Sequence, residues 1–259
     1  MKQIFGVLIM GLCLPLCMAA QSSLFVAQET FADGERQTFA PPASLAWCVS
    51  SASAVQMQDR TLVLTAPAKG VATAVAHLAA PGEAVALPAG ARLVAKLRLQ
   101  VRGPIGGAVN GLRVGLLHVG AQRMARDGAV PSGVAEGYVV TVNPENGGIA
   151  LRKRTTQGGA WIAALASGLY PALPFEGRAK RSALRDGETH ELEIVVQRRA
   201  DGSGRLSASI APAMRSRHMH VALDGGPVPA QFDTLLIALQ TGLSSVALEG
   251  VEIRVEPEA

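Results

Sequence analysis

The stretch Leu93-Val94-Ala95-Lys96-Leu97-Arg98-Leu99-Gln100-Val101 carries apolar residues at every odd position, with Lys96, Arg98 and Gln100 at even ones. Successive strand residues point to opposite faces, so this pattern predicts a strand with one dry and one wet face. A helix would spread the same charges around its circumference. Shorter apolar or alternating runs of strand length recur at residues 25–31, 61–65, 71–78, 111–119, 138–142 and 149–154, and again at 190–197, 205–211, 219–223, 232–240 and 248–255.

Turn chemistry punctuates these runs. Asn143-Pro144-Glu145-Asn146-Gly147-Gly148 separates two of them, and Asn146-Gly147 suits the positive φ of a tight hairpin. Asp201-Gly202-Ser203-Gly204 gives a second hairpin signal. Many short strands, no βαβ alternation, and 28 Gly with 15 Pro predict an all-β fold, a two-sheet antiparallel jelly-roll sandwich. Residues 121–129 and 163–169 read as short helices or loops. Residues 155–187 form the longest weakly patterned stretch, of the kind that is often functional.

The N-terminus has a different pattern. Lys2 precedes an uncharged apolar run over residues 4–18, and Ala19 and Ala20 follow. That is the order of a signal peptide, so residues 1–20 are expected to be removed and residues 21–259 to form one sandwich domain. A lipid anchor on Cys17 is the rival reading, disfavoured by Leu14-Pro15-Leu16 ahead of it. Cleavage leaves Cys48 as the one cysteine, so no internal disulfide is expected and the core must hold the fold. Within Leu45-Ala46-Trp47-Cys48-Val49 the thiol reads as a small buried hydrophobe. No second apolar run of membrane length follows, so an exported product, soluble in a periplasmic or extracellular space, is expected. A net charge of +4 is compatible with an anionic glycan or an envelope surface and too small to imply nucleic acid.

Several ordered blocks resemble a family of secreted bacterial proteins with a concanavalin-A-like (laminin-G-like) sandwich. They are Glu29-Thr30-Phe31-Ala32-Asp33-Gly34-Glu35-Arg36, Pro42-Ala43-Ser44-Leu45-Ala46-Trp47 and Gly111-Leu112-Arg113-Val114-Gly115-Leu116. Later come Gly137-Tyr138 leading to Leu151-Arg152-Lys153-Arg154, then Phe232-Asp233-Thr234-Leu235 and Val251-Glu252-Ile253-Arg254-Val255. The resemblance implies a jelly roll whose first and last strands lie side by side. It leaves activity open, because lectins, carbohydrate-binding modules, adhesive domains and glycosidases share that sandwich. It also implies a candidate structural calcium on an oxygen-rich loop, for which Glu29, Asp33 and Asp233 are the acids available. Asp33-Gly34 reads equally as a turn, and Asp233 as a strand cap. Two positions depart from the pattern: Cys48 stands where an aromatic is usual, and Glu249-Gly250 where Asp-Asn is usual. A Pro-Glu-Pro sorting tail does not follow Glu256-Pro257-Glu258, so anchoring by that route is not expected.

The candidate chemistry is sparse. Glu188-Thr189-His190-Glu191-Leu192-Glu193 puts Glu191 and Glu193 on one strand face but lacks the Glu-x-Asp-x-x-Glu order of laminarinase-type glycosidases. Neither a Gly-x-Ser-x-Gly elbow nor His-Glu-x-x-His occurs. His218 and His220 share a strand side but have no third ligand nearby, and read as solvated. Sugar stacking needs exposed aromatic rings, and the chain has two Trp and two Tyr. Trp47 reads as core, whereas Trp161 and Tyr170, in the loop-rich stretch, are the first candidates for a glycan contact, with anchoring of the long loop as the role favoured over it. Arg152 and Arg154, on one face of a strand, are the basic candidates for gripping an anionic polysaccharide, with a solvated charged rim as the reading favoured for them. Lys153, Arg178, Lys180, Arg181, Arg185, Arg198 and Arg199 complete a charged rim. The function expected is a non-catalytic binding or adhesion domain with carbohydrate as ligand. A structural envelope or matrix component is the alternative, and a glycoside hydrolase the third reading.

Overall fold

The computed structural model describes residues 24–105, 111–154, 158–161, 168–177, 183–213, 220–240 and 243–258. The leader expected over residues 1–20 lies outside them, as do Arg178, Lys180, Arg181 and His218. In chain order the strands are β1 (Leu24–Glu29), β2 (Trp47–Val49), β3 (Val55–Gln58), β4 (Thr61–Thr65), β5 (Ala72–His77) and β6 (Val85–Ala86). Next come β7 (Ala91–Ile105), β8 (Leu112–His118), β9 (Glu136–Asn143), β10 (Gly148–Arg154), β11 (Phe175–Gly177) and β12 (Thr189–Arg198). The last are β13 (Gly204–Pro212), β14 (His220–Asp224), β15 (Gln231–Phe232), β16 (Thr234–Leu239) and β17 (Leu243–Pro257). A single 3₁₀ turn, Gly120–Gln122, is the helical element among the described residues, and no helix is long and apolar enough to cross a membrane.

The strands form two principal antiparallel sheets. One has nine strands in the order β11-β14-β13-β12-β7-β17-β4-β3, with β1 also on β17; the other has six, β10-β9-β8-β16-β5-β2. The alternation in β7 becomes packing: Leu93, Ala95, Leu97, Leu99 and Val101 turn inward and are buried. They meet Val114, Leu116, Val140, Leu235 and Ile237 of the six-stranded sheet in the main core. Fully burying a side chain of Val, Leu or Ile size contributes about 1.5–3 kcal/mol. This layer is therefore what replaces disulfides.

The long strand β17 joins the two ends of the chain. One edge pairs with β7 throughout, from Leu243 opposite Ile105 to Pro257 opposite Ala91. The other edge is shared, residues 245–248 pairing with β4 and residues 251–255 with β1. An irregularity between Leu248 and Gly250 marks the changeover. First and last strands are thus neighbours, as the resemblance implied. Both expected hairpins form: Gly147 N–H closes on Asn143 O at 2.8 Å between β9 and β10, and Ser203 N–H bonds Asp201 Oδ1 at 2.9 Å between β12 and β13.

The two sheets differ in their outer faces. Strand β12 alternates buried and half-buried residues, so the nine-stranded sheet is wet outside. Strands β5 and β16 are buried at every position and β8 at all but its last. The six-stranded sheet is therefore buried on both faces; its outer face mixes Val75, Leu117, Val139, Leu236 and Ala238 with Thr73, Arg113, Thr141 and Thr234, and lies under a second cover. Gly137, in the middle of this sheet, shows how close its strands approach. Its φ is +138°, and a Cβ added there would fall 2.2 Å from Leu116 O. Gly137→Ala is expected to cost at least about 2 kcal/mol, read as a lowered urea midpoint with an unchanged slope.

Candidate functional site

The second cover comes from the chain between β8 and β9 and from residues around Trp161 and Tyr170. Val75, Leu117, Val139, Leu236 and Ala238 of the sheet pack with Val119, Met124, Ala135, Trp161 and Tyr170 in a second apolar cluster. Arg152 Nη1 donates to Tyr170 O at 2.9 Å, and the Arg154 guanidinium lies 5.1 Å from the Tyr170 ring centroid. The four candidates for glycan contact therefore do come together. They face inward, however: Trp161 is 0% and Tyr170 2% exposed, and Arg154 is buried beside them. Burial pushes the Tyr170 hydroxyl up to about 12. These side chains clamp the cover to the sheet and offer no stacking face, in keeping with the anchoring role favoured for the two rings and against their use as glycan contacts. Two buried rings on an apolar sheet face are what the hydrophobic pattern of β5, β8 and β16 requires.

The acids expected to bind calcium are also committed elsewhere. Glu29 accepts Phe31 N–H on Oε1 at 2.7 Å, and Leu45 N–H and the Ser44 hydroxyl on Oε2 at 2.8 and 3.0 Å. Asp233 accepts Val119 N–H at 3.0 Å, Gly120 N–H at 2.9 Å and the Thr234 hydroxyl at 2.8 Å. His118 Nδ1 stands 2.9 Å from its other side. Asp33 caps its own turn through Glu35 N–H. Oxygens already facing N–H and O–H hydrogens present positive ends to a cation, so this donor set does not fit Ca²⁺. No group of three His, Cys, Asp or Glu among the described residues forms a metal cluster. His220, expected in solvent, is buried with its ring 5.9 Å from Phe175.

The second cover reaches the edge strand β2 through Met124, Asp127 and Gly128, and an opening remains beside that contact. A groove of about 530 Å³ runs between β2, the end of β5 and residues 120–125, lined by Phe39, Cys48, His77, Pro81, Arg123 and Met124 among others. It continues past Ala46, Cys48 and Ala125 into a shallower depression of about 500 Å³ walled by Gln37, Arg126 and Asp127. Phe39 is 40% exposed; it and Val134 are the exposed large apolar side chains among the described residues. The sequence reading did not single out Phe39. Its signal was present: it lies in Gln37-Thr38-Phe39-Ala40-Pro41-Pro42, which has no alternation and therefore no sheet in which to bury a ring.

The groove's polar groups are fixed. His77 Nε2 is 3.0 Å from Met124 O, and burial lowers the imidazole below its usual range, favouring the neutral ring. Cys48 donates its S–H to the same carbonyl at 3.2 Å, and burial, with Asp127 nearby, raises its pKa. It stays a thiol, which is the bland role expected of it. Arg36 closes the far end, donating to Asp127 Oδ1 at 2.8 Å, to Asp127 Oδ2 and to Trp47 O at 3.0 Å. Val49 N–H also donates to Asp127 at 3.0 Å, and Gly128 N–H to Val49 O at 2.9 Å. The open edge of β2 is thereby capped.

The wet face of the nine-stranded sheet holds the remaining charged residues. A polar depression of about 270 Å³ there is lined by Gln28, Lys96, Arg98, Glu191, Glu249 and Glu252 among others. Arg98 lies 3.2 Å from Glu249, which also accepts the Thr189 hydroxyl at 3.1 Å, and Lys96 lies 3.7 Å from Glu193. Bases of β7 thus alternate with acids of β12 and β17, the cross-strand pattern of a solvated face. Cations and donors surround Glu249 where a general acid would need an apolar pocket to keep its proton.

No protein-family model matches the chain, and no curated sequence is similar to it. Among solved structures, the exoplasmic domain of VIP36 in its Ca²⁺/Man₃GlcNAc-bound form superposes with a TM-score of 0.52 at 11% identity, over 80% of this chain and 84% of that one. Lectin I-B4 of Griffonia simplicifolia gives 0.48 at 12% identity, over 91% and 99%. The seed lectin of Lotus tetragonolobus gives 0.49 at 9%, over 92% and 100%. The fold is the legume-lectin-like, concanavalin-A-like jelly roll.

Two outcomes follow from this geometry. Adding or chelating calcium is expected to leave the melting temperature unchanged, whereas Asp233→Ala removes about 3 kcal/mol by orphaning two backbone N–H groups, measured by denaturant titration. The hydrogen bond from Arg36 holds the Asp127 carboxyl below the usual carboxylate range. A depressed folded value means stability present above the unfolded pKa, near 4, and lost as pH falls through the folded one. Asp127→Asn should therefore melt lower than the parent at pH 7, and the gap should narrow as pH falls below the unfolded value, near 4.

Proposed function

We propose that this protein is a non-catalytic carbohydrate-binding domain, exported to a periplasmic or extracellular space, and that it takes its ligand in the groove beside β2. The carrying observation is the Phe39 ring, exposed on the wall of a groove that also holds hydrogen-bonding groups. The apolar face of a pyranose stacks on an aromatic ring while its hydroxyls need planar polar partners close by. Gln37, Arg126 and Asp127 in the adjoining depression supply such partners.

The fold supports the reading, since the VIP36 domain of the same architecture was solved with Man₃GlcNAc and Ca²⁺ bound. The calcium is not part of the proposal here, because Glu29, Asp33 and Asp233 are engaged by protein donors. Absence of catalysis rests on the paired state of the wet-face acids and on the protonated thiol of Cys48.

A glycan-array screen of residues 21–259 tests the reading. Binding to at least one sugar class is expected, and Phe39→Ala should reduce it at least about tenfold without lowering the melting temperature, since the ring is exposed. Failure to bind any glycan, or binding indifferent to Phe39→Ala, would sink it.

A further inference from the structure

The groove has more positive than negative charge on its walls. Arg123 lines the deeper part and Arg126 the shallower one, on either side of Met124 and Ala125. The guanidinium of Arg123 donates to Ala79 O at 2.6 Å and to Glu83 O at 3.3 Å. Those carbonyls take two of its five N–H groups, leave the buried Nε–H without a partner, and do not neutralise its charge. Arg126 is exposed and makes no ion pair among the described residues. Asp127 is the one acid on the walls, and it is matched by the two-pronged Arg36 contact and by Val49 N–H. His77 adds no charge in its neutral form. Two arginines thus line the groove without a carboxylate partner among the described residues.

Arginine is suited to a planar or trigonal anionic group because its fork can donate two parallel hydrogen bonds. The apolar floor beneath, from Ala46 to Met124, lowers the local dielectric and strengthens that attraction. Net charge on the whole chain has the same sign. We infer that the ligand of this groove is an acidic glycan, with a sugar carboxylate or sulfate ester set against Arg126 and Arg123 and a sugar ring on Phe39. The inference rests on the glycan reading and narrows its ligand class.

Calorimetric titration separates the two claims. The probes are an oligogalacturonate with its carboxyl-reduced neutral counterpart, a sulfated galactan oligosaccharide with its desulfated counterpart, and inorganic sulfate alone. At least one acidic sugar should bind about tenfold more tightly than its neutral partner at low ionic strength, and that advantage should shrink in about 0.3 M salt. The arm that shows it identifies carboxylate or sulfate. Arg126→Gln should remove most of the advantage, weakening the acidic sugar by a larger factor than its neutral partner, while Arg126→Lys should retain part of it. Arg126 is exposed, so these variants fold. Equal affinity for acidic and neutral sugars, with dependence on Phe39, overturns this inference and leaves the glycan reading standing. An advantage indifferent to Arg126→Gln overturns it too, as does inorganic sulfate binding as tightly as the sulfated sugar. Binding of none of these sugars or of any array glycan overturns both.

Discussion

The constraint behind much of this molecule is that the six-stranded sheet is buried on both faces, with an apolar patch of Val75, Leu117, Val139, Leu236 and Ala238 on the outer one. A β-strand can satisfy one buried face against a partner sheet, and the nine-stranded sheet supplies that partner through Leu93, Leu97 and their neighbours. The other face of β5, β8 and β16 would cost solvation energy over its whole area if left bare. The chain between β8 and β9, together with Trp161 and Tyr170, is laid over it as a cover. Tyr170 is in turn gripped by Arg152 through its carbonyl and by Arg154 over its ring. The cover meets β2 through Met124, Asp127 and Gly128, and the groove lies beside that junction. Site and core therefore share one cause.

What makes the gap a defined shape is a pair of buried carboxylates. Glu29 holds Leu45 N–H and Ser44, at the end of the loop that carries Phe39. Asp233 holds Val119 and Gly120 N–H, at the start of the segment that carries Arg123 and Met124. Each acid thus pins one wall by charge-assisted bonds to the backbone. A divalent cation could join such walls by collecting their oxygens. Here the anions are built into the chain and collect amide hydrogens. The exposed sheet face behaves differently: its acids and bases neutralise one another across β12, β7 and β17, and no wall rises around them.

How legible this was from the sequence depended on the range of the determining interaction. Strand β7 could be read outright because its period-two pattern lies within a dozen residues. The hairpins at Asn146-Gly147 and Asp201-Gly202 are equally local. Strand β2 was missed as a strand, since three residues cannot display a period. Glu29, Asp233, Trp161, Tyr170, Arg152 and Arg154 were marked as unusual, and they are; anchoring was favoured for the two rings and capping named for Asp233, but the partners of these groups were not legible. An acid is visible in a sequence, whereas the amide hydrogens it meets are not. For Leu45 they are 16 residues away and for Val119 they are 114. Likewise Trp161 sits in a glycine-rich stretch that suggests exposure, and only the two-faced burial of β5 and β16 shows why the ring must turn inward.

The pinned walls bear on how the groove can work. A site made from loops ordinarily loses affinity in ordering them when ligand arrives. The Phe39 loop is already tied to β1 by Glu29, and the Arg123 segment to β16 by Asp233. The Arg36–Asp127 clip holds both to the edge of β2. With the backbone fixed, the ordering that remains is in exposed side chains such as Phe39 and Arg126, which are the groups a ligand would touch. A ring has few rotamers to lose, and a guanidinium fork is planar before it binds. The residues that hold the groove are thus separate from those that would read its contents. Substitutions at Phe39 or Arg126 can change ligand choice without disturbing the fold, while those at Glu29 or Asp233 act on the fold first.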